Sequence, residues 1–280
     1  MAVGDYSQRA LDLSSAPRLR RGKLYLIQAL VHSYNVLISD KKEGVGCLTK
    51  VLFVDNTINH NLYRPLDHFK PLFTLPYDVY HASTAAAPAD LDHYSHILLS
   101  GSFASTLDDE DWILAEVEMI RAAVEKGKVI LGSCFGHQLI ARALFGLEAV
   151  RKREKPQIGW LDLKLLQHDR LLGNQGEQLS GFFFHFDEVA ALPPAETVTL
   201  LTGPDSCHLA FRLKNRPVWG IQPHYELGVA QGFELIGTAI DQGAPGVPPK
   251  ELFFESALHR PRDSAHIAKI LYQFQQQKPS

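Results

Sequence analysis

Short apolar segments alternate with helical patterns between residues 51 and 146. Four segments have the length and composition of buried strands: residues 51–55, 77–80, 96–99 and 128–131. Ile113, Val117, Ile120 and Val124 recur at helical spacing after an acidic run at 108–111, and Gly127 follows as a cap. A second helix is predicted before Gly146. This order predicts a parallel sheet with helices on both faces, because parallel strands need crossover connections.

The second half of the chain has more closely spaced strand patterns. They lie at residues 161–166, 182–186, 198–201, 209–212 and 218–222. We expect them to form antiparallel hairpins appended to the same sheet. A C-terminal helix is predicted with Asp263 or Ser264 as its cap. The predicted fold is an open, mostly parallel α/β sheet with helices on both faces and appended antiparallel strands.

Composition excludes several classes of protein. The chain is 45% hydrophobic and 21% charged, which is typical of a soluble globular domain. A net charge of −3 argues against nucleic-acid binding and against a polybasic membrane contact. Three cysteines cannot form a disulfide framework, so we expect a reducing, cytoplasmic location. No apolar run approaches the ~18 residues that a membrane-spanning helix needs.

Residues 1–48 differ in residue pattern from the rest of the chain. Basic residues precede a stretch from residue 24 to 38 that polar side chains interrupt, unlike a signal peptide. Asp5 and Asp12 argue against an organelle transit peptide. We therefore expect an N-terminal extension over 1–48 and one domain over 49–280. The Gly/Pro-rich segment 243–249 is interpreted as a surface loop within that domain.

Cys134 is the strongest candidate for a catalytic residue. The segment from Gly132 to Gly136 reads Gly-Ser-Cys-Phe-Gly and joins a predicted buried strand to a helix, as in a nucleophile elbow. The glycines allow a sharp turn in which a neighbouring Cβ would clash. The start of a helix and a nearby imidazolium both favour the thiolate. The alternative is a buried cysteine packed as a small apolar residue; Cys47 and Cys207 lie outside such a context.

A second pattern supplies a candidate base. His224 and Glu226 follow an apolar segment and are two residues apart, so in an extended chain their side chains project to the same side. Glu226 could then orient the imidazole while His224 faces the thiol, as in a catalytic triad. The alternative is a surface His and Glu without a shared role.

Together these motifs resemble the class I glutamine amidotransferases of the Cys-His-Glu type, including the stand-alone, GMP-synthase-like amidotransferase domains. The resemblance rests on Gly-x-Cys134-x-Gly-x-Gln138 and on Gly-x-Gln-x-His224-x-Glu226. It also includes the turn 100–102 and the segment 181–189, and it extends over about residues 50–240. It implies a flavodoxin-like fold, in agreement with the predicted alternation.

The resemblance implies a role for each matching residue. Cys134 would attack the side-chain amide of glutamine, His224 would transfer protons, and Glu226 would orient His224. The backbone N–H groups of Gly101 and Phe135 would hold the oxyanion. The residues implied in substrate binding are Gln138, His185, Phe186 and Asp187.

One motif departs from the family pattern. The family usually has Phe-His-Pro-Glu where this chain has Pro223-His224-Tyr225-Glu226. Since proline fixes its own φ and restricts the preceding residue, we expect a different turn. Tyr225 is expected to reshape the substrate pocket.

These observations leave several hypotheses open. The first is a glutaminase that supplies ammonia to a synthetase in trans, because the predicted domain leaves no room for an acceptor domain. The second is a stand-alone hydrolase of γ-glutamyl peptides or amides with water as acceptor. The others are a catalytically silent interaction module and a cysteine α/β-hydrolase, in which the acid would precede the histidine. We expect no cofactor, no metal site, no nucleic acid and no membrane partner; the ligand is glutamine or a γ-glutamyl small molecule.

Overall fold

The structure is a computed structural model that describes residues 49–203, 205–244, 247 and 266–280. The predicted extension 1–48, most of the predicted loop 243–249, Cys47, and the predicted caps Asp263 and Ser264 lie outside these residues. The domain boundary at residue 48 therefore stays a prediction. Within the described ranges, no helix is both long and apolar enough to cross a membrane.

Within the described residues, nine strands form two sheets. They are β1 (Val51–Asp55), β2 (Tyr77–His81), β3 (His96–Leu99), β4 (Val129–Ser133), β5 (Val150–Lys164), β6 (Gln178–Val189), β7 (Thr197–Gly203), β8 (Ser206–Leu213) and β9 (Val218–Ile221). The main sheet has seven strands in the order β2-β1-β3-β4-β9-β8-β7. The first five of these strands are parallel, and β8 and β7 continue the sheet in antiparallel pairing. The predicted mostly parallel sheet with appended antiparallel strands is confirmed.

Helices cover both faces of the main sheet. The α-helices of the described residues are α1 (Pro65–Phe69), α2 (Asp111–Glu125), α3 (Phe135–Phe145), α4 (Val229–Asp241) and α5 (His266–Gln276). Alternate residues of β1 explain the arrangement: Leu52 and Val54 are buried with α2 and α3, whereas Val51 and Phe53 are buried with α5. Helix α4 packs in a third apolar cluster with β5 and β6.

Local chemistry fixes the limits of α2. Asp111 lies in its first turn, where a carboxylate favours the positive end of the helix dipole. After the helix, Gly127 takes φ +67°, and the N–H of Lys128 donates to the carbonyl of Ala123. A glycine in the left-handed region just after a helix is the usual way to satisfy its last carbonyl groups.

The pairing of β5 and β6 corrects one expectation. These strands do not join the main sheet but form a separate antiparallel two-stranded sheet. Arg151 and Arg153 lie in β5 and form ion pairs with the buried Glu188 of β6. Sequence periodicity predicts strands but not their partners. Between β5 and β6, the pairing is accompanied by ion pairs to Glu188, of which the one with Arg153 is the more buried.

Candidate active site

Cys134 lies at a sharp turn between β4 and α3. Its φ of 50° and ψ of −104° make it the one described non-glycine residue with a positive φ. A Cβ on Gly132 would lie 2.4 Å from the Gly136 carbonyl atoms, and a Cβ on Gly136 would lie 2.7 Å from Leu99. The two glycines of the motif are therefore required by backbone contacts, and the strain is concentrated at the cysteine.

The ends of three neighbouring strands bring the predicted residues together. Gly101 follows β3, Cys134 follows β4 and His224 follows β9, and these strands are adjacent in the sheet. A Cβ on Gly101 would lie 2.8 Å from Cε1 of His224 and 3.4 Å from Cβ of Cys134. Phe135 is the first residue of α3, where helix geometry leaves the backbone N–H without a partner in the helix. Gly101 thus lies beside Cys134 across the strand ends, and Phe135 adjoins it in the chain.

His224 and Glu226 form a buried pair. Nδ1 of His224 lies 2.5 Å from Oε1 of Glu226. Burial opposes a charge on His224, but the charges of Cys134 and Glu226 and hydrogen bonds to both side chains raise the pKa of His224 to about 10. Burial likewise opposes the Glu226 charge, but His224 and a hydrogen bond from Tyr63 hold the pKa of Glu226 below its usual value. The pair is therefore an imidazolium and a carboxylate at neutral pH.

Tyr63 is a member of this site that the sequence analysis missed. Its hydroxyl donates to Oε1 of Glu226 over 2.6 Å, and its ring meets the His224 ring edge to face with centroids 5.7 Å apart. Burial and the Glu226 charge raise the pKa of Tyr63, so the phenol keeps its proton. Tyr63 lies in the irregular segment before α1, where no motif marks it.

Strand β6 covers the thiol and the imidazole. The backbone N–H of His224 donates to the carbonyl of Phe182 over 2.7 Å. The thiol of Cys134 lies 3.7 Å from the carbonyl oxygen of Phe184, two residues along the same strand. The segment 181–189 singled out in the sequence therefore forms one wall of the site.

Cys134 opens into a cavity of about 500 Å³. All four residues predicted to bind substrate line it as well: Gln138, His185, Phe186 and Asp187. The wall also carries both signs of charge, with Lys152 and the acidic residues Asp108 and Glu110 among its side chains. A concave site with few, convergent polar groups has the form of a small-molecule pocket.

Gln138 and Asp187 are fixed by hydrogen bonds within the protein. Nε2 of Gln138 donates to the Asp187 carbonyl over 2.7 Å and to Oε1 of Gln222 over 3.0 Å. Oδ2 of Asp187 accepts from the Ser105 hydroxyl over 2.5 Å and from the Thr106 N–H over 3.2 Å. Burial raises the pKa of Asp187. Gln138 thus ties α3 to β6, and Asp187 ties β6 to the segment that follows β3, beside the cavity.

His185 is held neutral in the cavity wall. Its Nδ1 donates to the Asp187 carbonyl over 2.7 Å, and its Nε2 lies 2.7 Å from Oε1 of Gln157. Burial lowers the pKa of His185 to about 3. His185 therefore contributes shape and a fixed dipole to the cavity, not a positive charge.

Tyr225, which the sequence analysis expected to reshape the substrate pocket, does not line the cavity around Cys134. Tyr225 is buried in the apolar cluster beneath α5. A Cβ on Gly181 would lie 2.6 Å from Pro223 and 3.2 Å from Tyr225. The two residues that depart from the family motif thus pack against β6 and the core, while His224 still faces the thiol.

Comparison with known proteins gives the same assignment as the motifs. A family model described as glutamine amidotransferase class-I matches residues 52–232. Gamma-glutamyl peptidase 2 of Arabidopsis thaliana is 35% identical over 121 residues, which are 42% of this chain and 48% of that protein. A glutamine-hydrolyzing GMP synthase subunit of Pyrococcus abyssi is 32% identical over 99 residues, 35% of this chain and 50% of that protein. The chain thus spans about half the length of these relatives.

Solved structures share the fold. A glutamine amidotransferase of Thermotoga maritima superposes with a TM-score of 0.61 and 19% identity, over 81% of this chain and 96% of that chain. One from Methylobacillus flagellatus superposes with a TM-score of 0.61 and 21% identity, over 82% of this chain and 92% of that chain. Because the family model matches more than half of the sequence, the chain belongs to the class-I glutamine amidotransferases.

Proposed function

We propose that the protein hydrolyses the side-chain amide of glutamine through a thioester on Cys134. The observation that carries the proposal is that Cys134 opens into a cavity while the His224–Glu226 pair follows the adjacent strand end. This is the order nucleophile, base and orienting carboxylate that covalent amide hydrolysis needs.

The charges of the triad define the proposed steps. The Cys134 thiolate adds to the amide carbonyl, and the oxyanion accepts hydrogen bonds from the N–H groups of Gly101 and Phe135. The His224 imidazolium gives its proton to the leaving nitrogen as the C–N bond breaks, which releases ammonia and leaves a thioester. Neutral His224 then takes a proton from water, the hydroxide adds to the thioester, and glutamate leaves with regeneration of the thiolate.

The cavity offers groups of both signs to the amino-acid end of the substrate. We propose that Lys152 pairs with the α-carboxylate and Asp108 with the α-ammonium group, since both residues line the cavity. Gln138, His185, Phe186 and Asp187 would act by shaping the wall, since their polar groups are largely used within the protein. In this arrangement the γ-amide points toward Cys134.

Replacement of Cys134 tests the nucleophile. We expect Cys134→Ala to abolish release of glutamate and ammonia from glutamine, and to leave thermal unfolding close to that of the wild type. Cys207→Ala is the matched control, because Cys207 is exposed on β8 and does not line the cavity around Cys134. An electrophilic glutamine analogue should label the peptide that contains Cys134. Near-normal turnover by Cys134→Ala would remove this residue from the mechanism.

A second candidate substrate is a γ-glutamyl peptide, hydrolysed with water as the acceptor. Two observations favour it: the cavity of about 500 Å³ falls within the ~300–1,000 Å³ typical of pockets for ligands much larger than glutamine, and several relatives are named gamma-glutamyl peptidases. The ratio of kcat/KM for a γ-glutamyl dipeptide to that for glutamine separates the two. A ratio above one assigns the peptide, and a ratio well below one assigns glutamine.

If glutamine is the substrate, we propose that ammonia passes to a synthetase in trans. The relatives that are named as GMP synthase subunits support this, since their names imply a partner in those proteins. Glutaminase activity should then rise when the acceptor enzyme is added. Equal activity with and without every acceptor tested would favour free hydrolysis.

A further inference from the structure

Three metal-binding side chains meet outside the catalytic cavity. Asp55 ends β1 and His81 ends β2, and the two residues are direct partners in the parallel register of these strands. Their side chains therefore leave the sheet on the same side. His60 reaches the same point from the turn that follows β1. In the sequence, the spacing and order of Asp55, His60 and His81 match no linear metal-binding motif.

The distances suit one ion. Oδ2 of Asp55 lies 2.9 Å from Nε2 of His60 and 3.3 Å from Nδ1 of His81. All three donor atoms lie within 4.8 Å of one another. Tetrahedral coordination with bonds of about 2.0–2.2 Å places neighbouring ligand atoms roughly 3.4 Å apart. Small side-chain rotations are enough to admit an ion between the three atoms.

Asp55 is fixed in the orientation that a ligand needs. Its carboxylate is almost fully buried, and its Oδ1 accepts the backbone N–H of Thr57 over 3.1 Å. Oδ2 is thereby directed at the two imidazoles. A hydrogen bond to the second oxygen of a ligating carboxylate is the usual means of orienting it.

The two histidines form the solvent-exposed side of the candidate metal site. Both side chains are about half exposed, at 47% for His60 and 48% for His81. Their backbones are nevertheless tied down: Arg64 donates to the carbonyl of His60, and Ala85 donates to that of His81. An ion can therefore reach the three side chains from solvent without unfolding of the strand ends.

We propose that Asp55, His60 and His81 bind a divalent transition-metal ion of the Zn²⁺ class. Two imidazole nitrogens and one carboxylate oxygen suit Zn²⁺ and Co²⁺, whereas Mg²⁺ and Ca²⁺ prefer oxygen ligands alone. Among the described residues, this is the one group of three such side chains with donor atoms this close. The site is separate from the triad, so the proposal does not depend on the proposed function.

Metal binding by the full chain tests the proposal. The protein is prepared without an affinity tag, stripped with a chelator, and carries Cys134→Ser so that the active-site thiol cannot bind the ion. Zn²⁺ is measured by equilibrium dialysis with elemental analysis, and Co²⁺ by its visible absorption. The test variant adds His60→Asn and His81→Asn. The matched control adds His93→Asn instead, because His93 forms an exposed pair with Asp90 that lacks a third ligand.

The expected result is one equivalent of Zn²⁺ bound by the parent and by the control, with Co²⁺ bands typical of four or five ligands. Loss of an indirect partner typically costs about 10–100-fold in metal affinity, so loss of two direct ligands should weaken binding by at least about 100-fold. Zn²⁺ should also raise the Tm of the parent but not that of the double variant. Equal stoichiometry in all three proteins, or no bound equivalent in the parent, would overturn the proposal.

Discussion

At the scale of single residues, the site depends on a glycine at a position where a larger residue would contact the catalytic side chains. Gly101 lies between the His224 ring and Cys134, and Cys134 itself takes a positive φ. Tyr63 then fixes Glu226 through a hydrogen bond and packs its ring against the imidazole. Because these contacts position the reacting groups, substitutions at Gly101 and Tyr63 should affect rate more than stability.

Tyr63→Phe removes the hydroxyl that donates to Glu226. A hydrogen bond to a charged group contributes about 1.5–3 kcal/mol, so we expect kcat to fall about tenfold with little change in KM. Because this bond lowers the pKa of Glu226, the acid limb of the pH–rate profile should move to higher pH. Tyr94→Phe is the control, since its hydroxyl donates to Asp78 at a remote, part-exposed position. Equal profiles for the two variants would show that Tyr63 has no positioning role.

Gly101→Ala places a methyl group 2.8 Å from Cε1 of His224, so the ring must move. A displacement of about 1 Å in a catalytic group can cost about 100-fold, and we expect a loss in kcat of this size without unfolding. Gly237→Ala is the control: it lies inside α4 with nothing within 4 Å, and the change should add about 0.5–1 kcal/mol of stability. Steady-state kinetics and thermal unfolding measure both effects. Full activity of Gly101→Ala would contradict the contact.

At the scale of elements, one strand serves both the triad and the substrate wall. Strand β6 accepts the N–H of His224 at Phe182, lies against the thiol at Phe184, and continues to His185 and Asp187 in the cavity. Because β6 pairs with β5 in a separate two-stranded sheet, this wall does not belong to the parallel sheet that carries the nucleophile.

Helix α2 carries a buried carboxyl group that opposes stability. Neither oxygen of Glu116 has a hydrogen-bond partner among the described residues, and burial raises the pKa of Glu116 well above its usual value. A raised carboxyl pKa destabilises the folded state increasingly as pH rises above about 4.5, where the unfolded chain ionises.

Glu116→Met should therefore stabilise the protein. Removal of an unpartnered buried polar group is worth about 1–3 kcal/mol, and the gain should grow between pH 5 and 8. Glu118→Met on the exposed face of the same helix is the control, with an expected change within about 0.5 kcal/mol. Urea unfolding at several pH values measures both. A gain that did not change with pH would contradict the buried carboxyl.

At the scale of the whole molecule, buried histidines of two kinds set the response to pH. Burial lowers the pKa of His137 and His185 to about 3 and that of His96 to about 4. The triad raises the pKa of His224 to about 10. The folded protein therefore keeps the first three histidines neutral at pH values where the unfolded chain would protonate them. It keeps His224 protonated at pH values where the unfolded chain would lose that proton.

Stability should therefore be greatest near pH 6.5. Below that value the unfolded chain gains protons on three histidines that remain neutral in the folded protein, so the free energy of unfolding should fall toward pH 4. His224 is protonated in both states there and adds no slope, but its stabilising effect is lost between pH 6.5 and about 10. Urea unfolding from pH 4.5 to 9 measures both limbs.

His137→Asn should reduce the slope of the free energy of unfolding against pH on the acid side of the maximum, whatever its effect on absolute stability. Glu226→Gln should reduce the slope of the alkaline limb, because it removes one of the groups that raise the pKa of His224. Slopes identical to the wild type in both variants would contradict the assignment of the two kinds of histidine.

The sequence by itself determined the elements and their chemistry. Apolar segments and helical spacing specify the strands and helices around Cys134, because periodicity is a local property. The elbow motif and the His224–Glu226 spacing are also local, and the two patterns together identify the family.

Only the tertiary structure decided which distant side chains share a site. Tyr63 reaches Glu226 across 163 residues of sequence, and the partner of β5 is β6 and not the main sheet. Asp55, His60 and His81 likewise meet because two parallel strands end side by side. Such contacts depend on strand order and packing, which the whole chain sets through the burial of its apolar surface, so no single segment encodes them.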